Sequence, residues 1–301
     1  MVLESILSPE EAERQPFDML ILGFAVSSLA LWLAYYVFPK EASNWFLFLT
    51  AIAVEPLLVR IFKEEEGEEI RISKETLWAR HDDVVLDLLF LFFGMVISFS
   101  FWFTILPSGI VNVMFENQIS EIMRIQNLKL GVAGGFVGTL AAVAETKQIN
   151  FSNSVLTKAR VFKFILVNNL RLMFLFVAFS FLFGAGAILL LTWNAAVVGA
   201  AVGNMIRVTI VDVANLSTKA AMYFKALPVS ILSFFVHGIF EILGYFLGAI
   251  AGGILSVAII RKHYESPHFK RLLWDVILLL TLASALIIIG AGVEVYITPI
   301  L

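Results

Sequence analysis

Phe17 to Phe38 reads FDMLILGFAVSSLALWLAYYVF, with Asp18 as its single charged residue. Roughly 20 such residues are what a helix needs to span a hydrocarbon layer about 30 Å thick. Residues 44–62, 84–106, 170–193 and 272–297 repeat the pattern. Backbone polar groups in lipid must find their partners within the segment, so these runs predict an all-α polytopic transmembrane bundle. Composition agrees: 60% of the 301 residues are hydrophobic and 15% charged, against about a quarter charged in soluble domains.

Composition also removes several classes of function. A formal net charge of −3 gives nucleic acid nothing to bind. The absence of cysteine excludes disulfides, thiolate metal sites and cysteine nucleophiles. The acidic start, MVLESILSPEEAERQ, lacks the basic segment of a signal peptide, so the first apolar helix is expected to stay in the mature protein.

The remaining apolar regions are irregular. Residues 226–260 are too long for one straight span, and Pro228 and Gly238 predict a broken or bent element, with a half-helix before the main span. Residues 130–145, short and rich in Gly and Ala, read as a crossing inside the bundle. Residues 194–211 hold Asn204 and Arg207 and read as a re-entrant hairpin. The result is about seven crossings with re-entrant or broken helices, in a multi-pass protein of the cell membrane. With the N-terminus inside and the C-terminus outside, 15 of the 21 Lys and Arg residues fall on the inner side. Trp45, Trp102, Trp193 and Trp274 fall near span ends, as interfacial anchors should. The run KEEEGEEIRISKE (63–75) divides a two-helix N-terminal extension with an acidic cytoplasmic loop, residues 1–75, from a membrane core over 76–301.

The chemistry concentrates in FFVHGIFEILGYFLGAIAGG (234–253). On a helix, His237, Glu241, Gly244, Gly248 and Gly252 share one stripe. The glycines form a small-xxx-small ladder that admits a neighbouring backbone, which puts the His–Glu pair inside the bundle rather than against lipid. On this reading Gly248→Leu disrupts a seam, and Leu247→Phe, about 100° away, is far milder. Gly131, Gly135, Gly138, Ala142 and Glu145 form a second such stripe. Asn168, Asn169 and Arg171 stand at the head of VNNLRLMF, Asn194 and Asn204 bracket WNAAVVGAAVGN, and Glu294 lies near the end of the last span. Together these define a candidate buried polar site: His237, Glu241, Asn168, Asn169, Arg171, Asn194, Asn204 and Glu294. Three roles stand open for the His–Glu pair: fixing helix register through hydrogen bonds, moving protons or cations, or lining a groove that binds a partner.

No catalytic machinery is expected. HGIFE supplies one histidine where an HExxH zinc protease needs two, and His81, His263 and His268 fall in loops. No GxSxG turn or GxxxxGK[ST] loop occurs. No metal or cofactor is called for.

The order of the pieces is familiar. VNNLRLMF with the span after it, WNAAVVGAAVG, the stretch ALPVSILSFFVHGIFEILGYFLGAIAGG and the ending GVEVYITPIL together resemble the stage II sporulation protein M family. FGMVISFSFWFTILP and MFENQISEI are similar to its first core span and the helix after it. The resemblance covers roughly residues 84–301, and residues 1–75 look like the N-terminal extension of archaeal members. It implies a membrane core with a buried site at Asn168, Asn169, Arg171, His237 and Glu241. In spore formers, the founding protein resembles a scaffold that holds cell-wall hydrolases. An integral membrane scaffold is therefore expected, binding other membrane or envelope proteins or a second copy of itself within the lipid bilayer, with a role in envelope remodelling. The alternative is a transporter or permease component in which His237 and Glu241 handle protons or cations.

Overall fold

A computed structural model of the chain describes residues 16–71, 77–132, 155–183, 186–210, 215–262, 264 and 269–297. Among them the helices run in order α1 (Pro16–Val37), α2 (Ala42–Arg71), α3 (Leu77–Ile105), α4 (Ser108–Met114), α5 (Glu116–Val132), α6 (Val155–Phe183), α7 (Ala187–Thr209), α8 (Leu216–Ile260) and α9 (Phe269–Gly292). A π-helical turn, Val293–Ile297, ends the last of these. Among the described residues eight stretches are long and apolar enough to cross a membrane, two of them inside α8. The chain is an all-α, multi-pass bundle.

Close packing fixes the direction of each helix. α1 and α3 run parallel and touch backbone to backbone: a Cβ on Gly23 would fall on the Leu91 carbonyl, and one on Gly94 on the Leu20 carbonyl. Further along, Ser28 bonds to Ser98 at 2.9 Å and Trp32 meets Trp102 edge-on at 5.2 Å. α7 is also parallel to α3, with Gly199 against Phe99 and Gly203 against Phe103. Between them α2 runs the other way, Phe46 meeting Phe99 and Phe115.

α8 is antiparallel to α3. The Tyr223 hydroxyl lies 2.6 Å from Ser100 and 3.0 Å from the Ile97 carbonyl, Phe235 packs on Phe93, and Phe246 packs on Phe92. α6 runs parallel to α8, joined by Gly248 against Met173, Gly252 against Val177, and a bond from Ser180 to the Ala249 carbonyl at 2.7 Å. α9 returns along α8 with Ala283 and Ile287 over Gly244. One face of the bundle therefore collects the ends of α1, α3, α7 and α9 and the starts of α2, α6 and α8. The opposite face collects the remaining ends. α1 and α2 contribute Met19, Phe46 and Leu58 to the same buried cluster as α3, α7, α8 and α9.

Three expectations are corrected. Residues 194–211 are not a hairpin: Ala187–Thr209 is one continuous helix. Asn204 faces outward, and Arg207 holds the end of α3 by donating to the Phe103 carbonyl at 3.0 Å and to Ser108 at 2.8 Å. The stretch 170–193 joins parts of two helices, α6 ending at Phe183 and α7 beginning at Ala187, and Trp193 sits within α7 rather than at a span end. Residues 226–260 belong to a single 45-residue helix that contains Pro228, without a separate half-helix. At about 68 Å it is more than twice the hydrocarbon thickness.

The crossing expected over 130–145 lies outside the described residues beyond Val132, and Gly135 and Gly138 with it. What is described places Phe115, beside Phe103 at the end of α3, and the start of α6 on the same face. Lys158, Arg160 and Lys163 thus join Lys40, Lys219 and Lys225 there. The Lys/Arg asymmetry behind the N-inside orientation disappears.

Candidate functional site

A cavity of about 230 Å³ opens among α3, α5, α6, α7, α8 and the final π turn. Its position follows from the pairings above. The first half of α8 stays with α3 and α7 through Tyr223 and Leu227, while the starts of α6 and the end of α9 hold each other through Ile165, Ala291 and Val295. Phe162 and Lys158 extend that contact to Tyr296. The cavity fills the space between these two groups.

At its deep end stands a polar network. The Asn169 side-chain amide donates to a Glu241 carboxylate oxygen, and the Tyr245 hydroxyl donates to Asn169 Oδ1 at 3.0 Å. Asn168 reaches the same oxygen at 3.4 Å. Asn169 and Tyr245 are both 5% exposed, and Tyr245 stacks on Phe176 with ring centroids 5.1 Å apart. This locks the Asn169 amide so that its N–H faces Glu241. Asn194, on α7, gives its amide to the Leu190 carbonyl at 2.8 Å and lines the cavity from the far side.

The walls are aromatic: Phe92 and Phe93 from α3, Phe164 from α6, Phe234 and Phe235 from α8. Gly238 keeps one wall open, since a Cβ built there meets nothing within 4 Å. Toward the surface the lining ends in Glu294 and Arg124. Arg124 is tied to Glu121 at 2.7 and 2.5 Å, and its side chain is 57% exposed, so the cavity reaches solvent there. The hydrogen bond and charge of Glu121 raise the Arg124 guanidinium further above its ordinary range.

Of the residues singled out in the sequence, the fold gathers Glu241, Asn168, Asn169, Asn194 and Glu294 around this space. Arg171 and Asn204 are exposed and lie outside it. His237 belongs to α8, one turn before Glu241, and its side chain lies outside the described residues. Glu241 finds its described partner across the helix pair, in Asn169. Sequence reasoning missed Tyr245 and Arg124. Tyr245 stands four residues after Glu241, a helical neighbour that an aromatic-rich span disguised as ordinary filling. Arg124 sits on a polar helix that gave no sign of reaching the bundle. Among the described residues no group of three or more His, Asp or Glu side chains is placed to hold a metal ion.

The glycine ladder is a packing seam with two partners. Gly244 faces Ala283 and Ile287 of α9, while Gly248 and Gly252 face Met173, Val177 and Ser180 of α6. The network at Glu241 sits at the upper end of the three-helix clasp that these contacts close.

Bundle and cavity together define a polytopic membrane protein with a solvent-reaching polar site between its helices. The chain belongs to the stage II sporulation protein M family, which matches residues 88–299 and so contains every residue that lines the cavity. An uncharacterized protein of Methanocaldococcus jannaschii is 28% identical over 185 residues, covering 60% of this chain and 95% of the relative. No solved structure matches the chain.

Proposed function

We propose that this protein is a permease-type membrane component that binds a small cation or protonated solute in the α3–α6–α7–α8 cavity, with Glu241 as the group that handles charge. The observation that carries the reading is the Glu241 carboxylate, fixed by Asn169 at the deep end of a cavity that reaches the surface at Arg124. An ionisable group at membrane depth is costly, and one beside a cavity is in a position to exchange a proton or meet a cation. Aromatic walls suit an apolar or cationic body, and the asparagines supply oriented hydrogen bonds. The cavity opens toward the face that holds the ends of α3 and α7 and the start of α6.

The test is the full-length protein in liposomes under a pH gradient, with and without an inward gradient of a simple amine cation. Parent protein should carry protons or amine, and Glu241→Gln, which keeps shape and hydrogen bonding, should lose that flux while unfolding at the same denaturant concentration. Absence of flux in the parent under both gradients contradicts the permease reading. A scaffold that binds other membrane proteins is the second reading. It is favoured by a separate observation, the charged side chains that α2 and α6 expose at membrane depth.

A further inference from the structure

Two spans carry an exposed charge inside their apolar stretch. Glu55 is exposed on α2 within the stretch Ala42–Ile61, and Arg171 is exposed on α6 within Lys158–Leu182. Among the described residues neither makes a hydrogen bond or ion pair. Each stands in an apolar stripe at helical spacing. On α2 it is Phe48, Ile52 and Glu55, the first two 47% and 63% exposed; on α6 it is Val167, Arg171 and Phe174, with the apolar pair 56% and 67% exposed. Hydrocarbon is a poor solvent for either charge, so these faces call for a cover.

Their depths match. Leu58 of α2 and Phe176 of α6 line the same small internal cavity and therefore share a level in the bundle. α2 and α6 both run toward the face where α3 begins. Glu55 precedes Leu58 by three residues and Arg171 precedes Phe176 by five, which at about 1.5 Å per residue leaves roughly 3 Å between their levels. An arginine side chain spans that difference easily. Within one chain α6 packs chiefly on α7, α8 and α9 and α2 chiefly on α1, α7 and α8, and the two exposed stripes take no part in those seams.

We propose that a second copy of this chain covers these faces, α6 of one molecule lying along α2 of the next and Arg171 pairing with Glu55 in the membrane. Two copies in one bilayer share the same orientation, so the helices meet parallel and the charges meet at one depth. The contact joins two different surfaces, so it is head-to-tail and builds a ring or an open row rather than a two-fold dimer. It is separate from the cavity, whose lining includes neither residue. Glu55 lies outside the part of the chain that the family matches, so the assembly depends on the N-terminal extension.

The chain has no cysteine, which makes cross-linking direct. Full-length protein in native-like nanodiscs or membranes is prepared as Ile52→Cys, as Val167→Cys, and with both substitutions. Oxidation should give a ladder of dimers and higher species only in the doubly substituted chain. Charge reversal then checks the pair: Glu55→Arg or Arg171→Glu should each abolish the ladder in that background, and both together should restore it. A doubly substituted chain that stays monomeric after oxidation overturns the proposal. Dimers from either single-cysteine chain, which require a two-fold contact, overturn it equally, as does a cross-linked band that contains a different protein. Cysteine at two exposed positions leaves the core untouched, and a matched unfolding midpoint confirms that each variant is folded.

Discussion

The two halves of α8 share one continuous helix and differ in almost everything else. In the stretch Gly238–Ile260, 78% of the most apolar window is buried, against 18% in Ser217–Val236. The second half carries Gly244, Gly248 and Gly252, so α6 and α9 approach it on adjoining faces. The first half has no such ladder. It contains Pro228, and it is anchored to α3 and α7 through Tyr223, which is fully buried, and its neighbours. The lesson is one of division of labour along a helix. Small residues let backbones close around the lower half, bulky ones hold the upper half apart, and the cavity with Glu241 lies where one regime gives way to the other.

That contrast can be broken from the tight side with the largest effect. Gly252→Leu would push a branched side chain into the Val177 carbonyl, since even a Cβ there would come to 2.5 Å. A loss of about 3 kcal/mol is expected, the upper end of ordinary overpacking, read as a shift in denaturant midpoint in detergent. Leu247→Phe comes next. Leu247 is 1% exposed, so enlarging it should cost about 1–3 kcal/mol rather than being mild as the sequence alone suggested. Gly248→Leu should fall below Gly252→Leu, because its nearest obstacles are the Met173 and Val177 side chains at 3.2 and 3.3 Å, which can yield.

On the loose side the expected effects shrink. Tyr223→Phe removes the bonds to Ser100 and to the Ile97 carbonyl, and Ser100 retains its own bond to Ile97 at 3.1 Å. A loss of about 1 kcal/mol follows from what intramembrane hydrogen bonds contribute. Gly238→Leu should be the smallest in stability, within about 0.5 kcal/mol, as the site is open. It would nevertheless fill the cavity wall and stop any flux that Glu241 supports. Equal damage from Gly238→Leu and Gly252→Leu would erase the distinction between the two halves.

Much of this contrast was legible in the residues. A four-residue glycine period has one physical use in a membrane helix, and the polar residues at Asn168, Asn169, Asn194, Glu241 and Glu294 did converge. What stayed hidden was pairing. Periodicity identifies a face and leaves its partner open, so nothing in the ladder showed that Gly244 meets α9 while Gly252 meets α6. The same blindness made Leu247 look peripheral, though a helix clasped on several sides has little free surface. Arg207 misleads for a related reason: polar Asn204 and Arg207 in an apolar stretch suggest a re-entrant hairpin, whereas the Arg207 guanidinium holds the end of α3 from a continuous helix. Arg171 shares a motif with Asn169, yet two residues on a helix are about 200° apart, which turns it to the exposed surface while Asn169 is buried.

The most direct measurement concerns water at the junction of the two halves. Single cysteines at Gly238→Cys and Gly248→Cys, in sealed vesicles of each orientation, are treated with a small hydrophilic thiol reagent. Gly238→Cys should label readily from the face that carries Arg124, and Gly248→Cys should stay unreactive from either side. Protection at both positions would mean a dry, closed seam around Glu241, and would contradict a solvent-reaching site in this bundle.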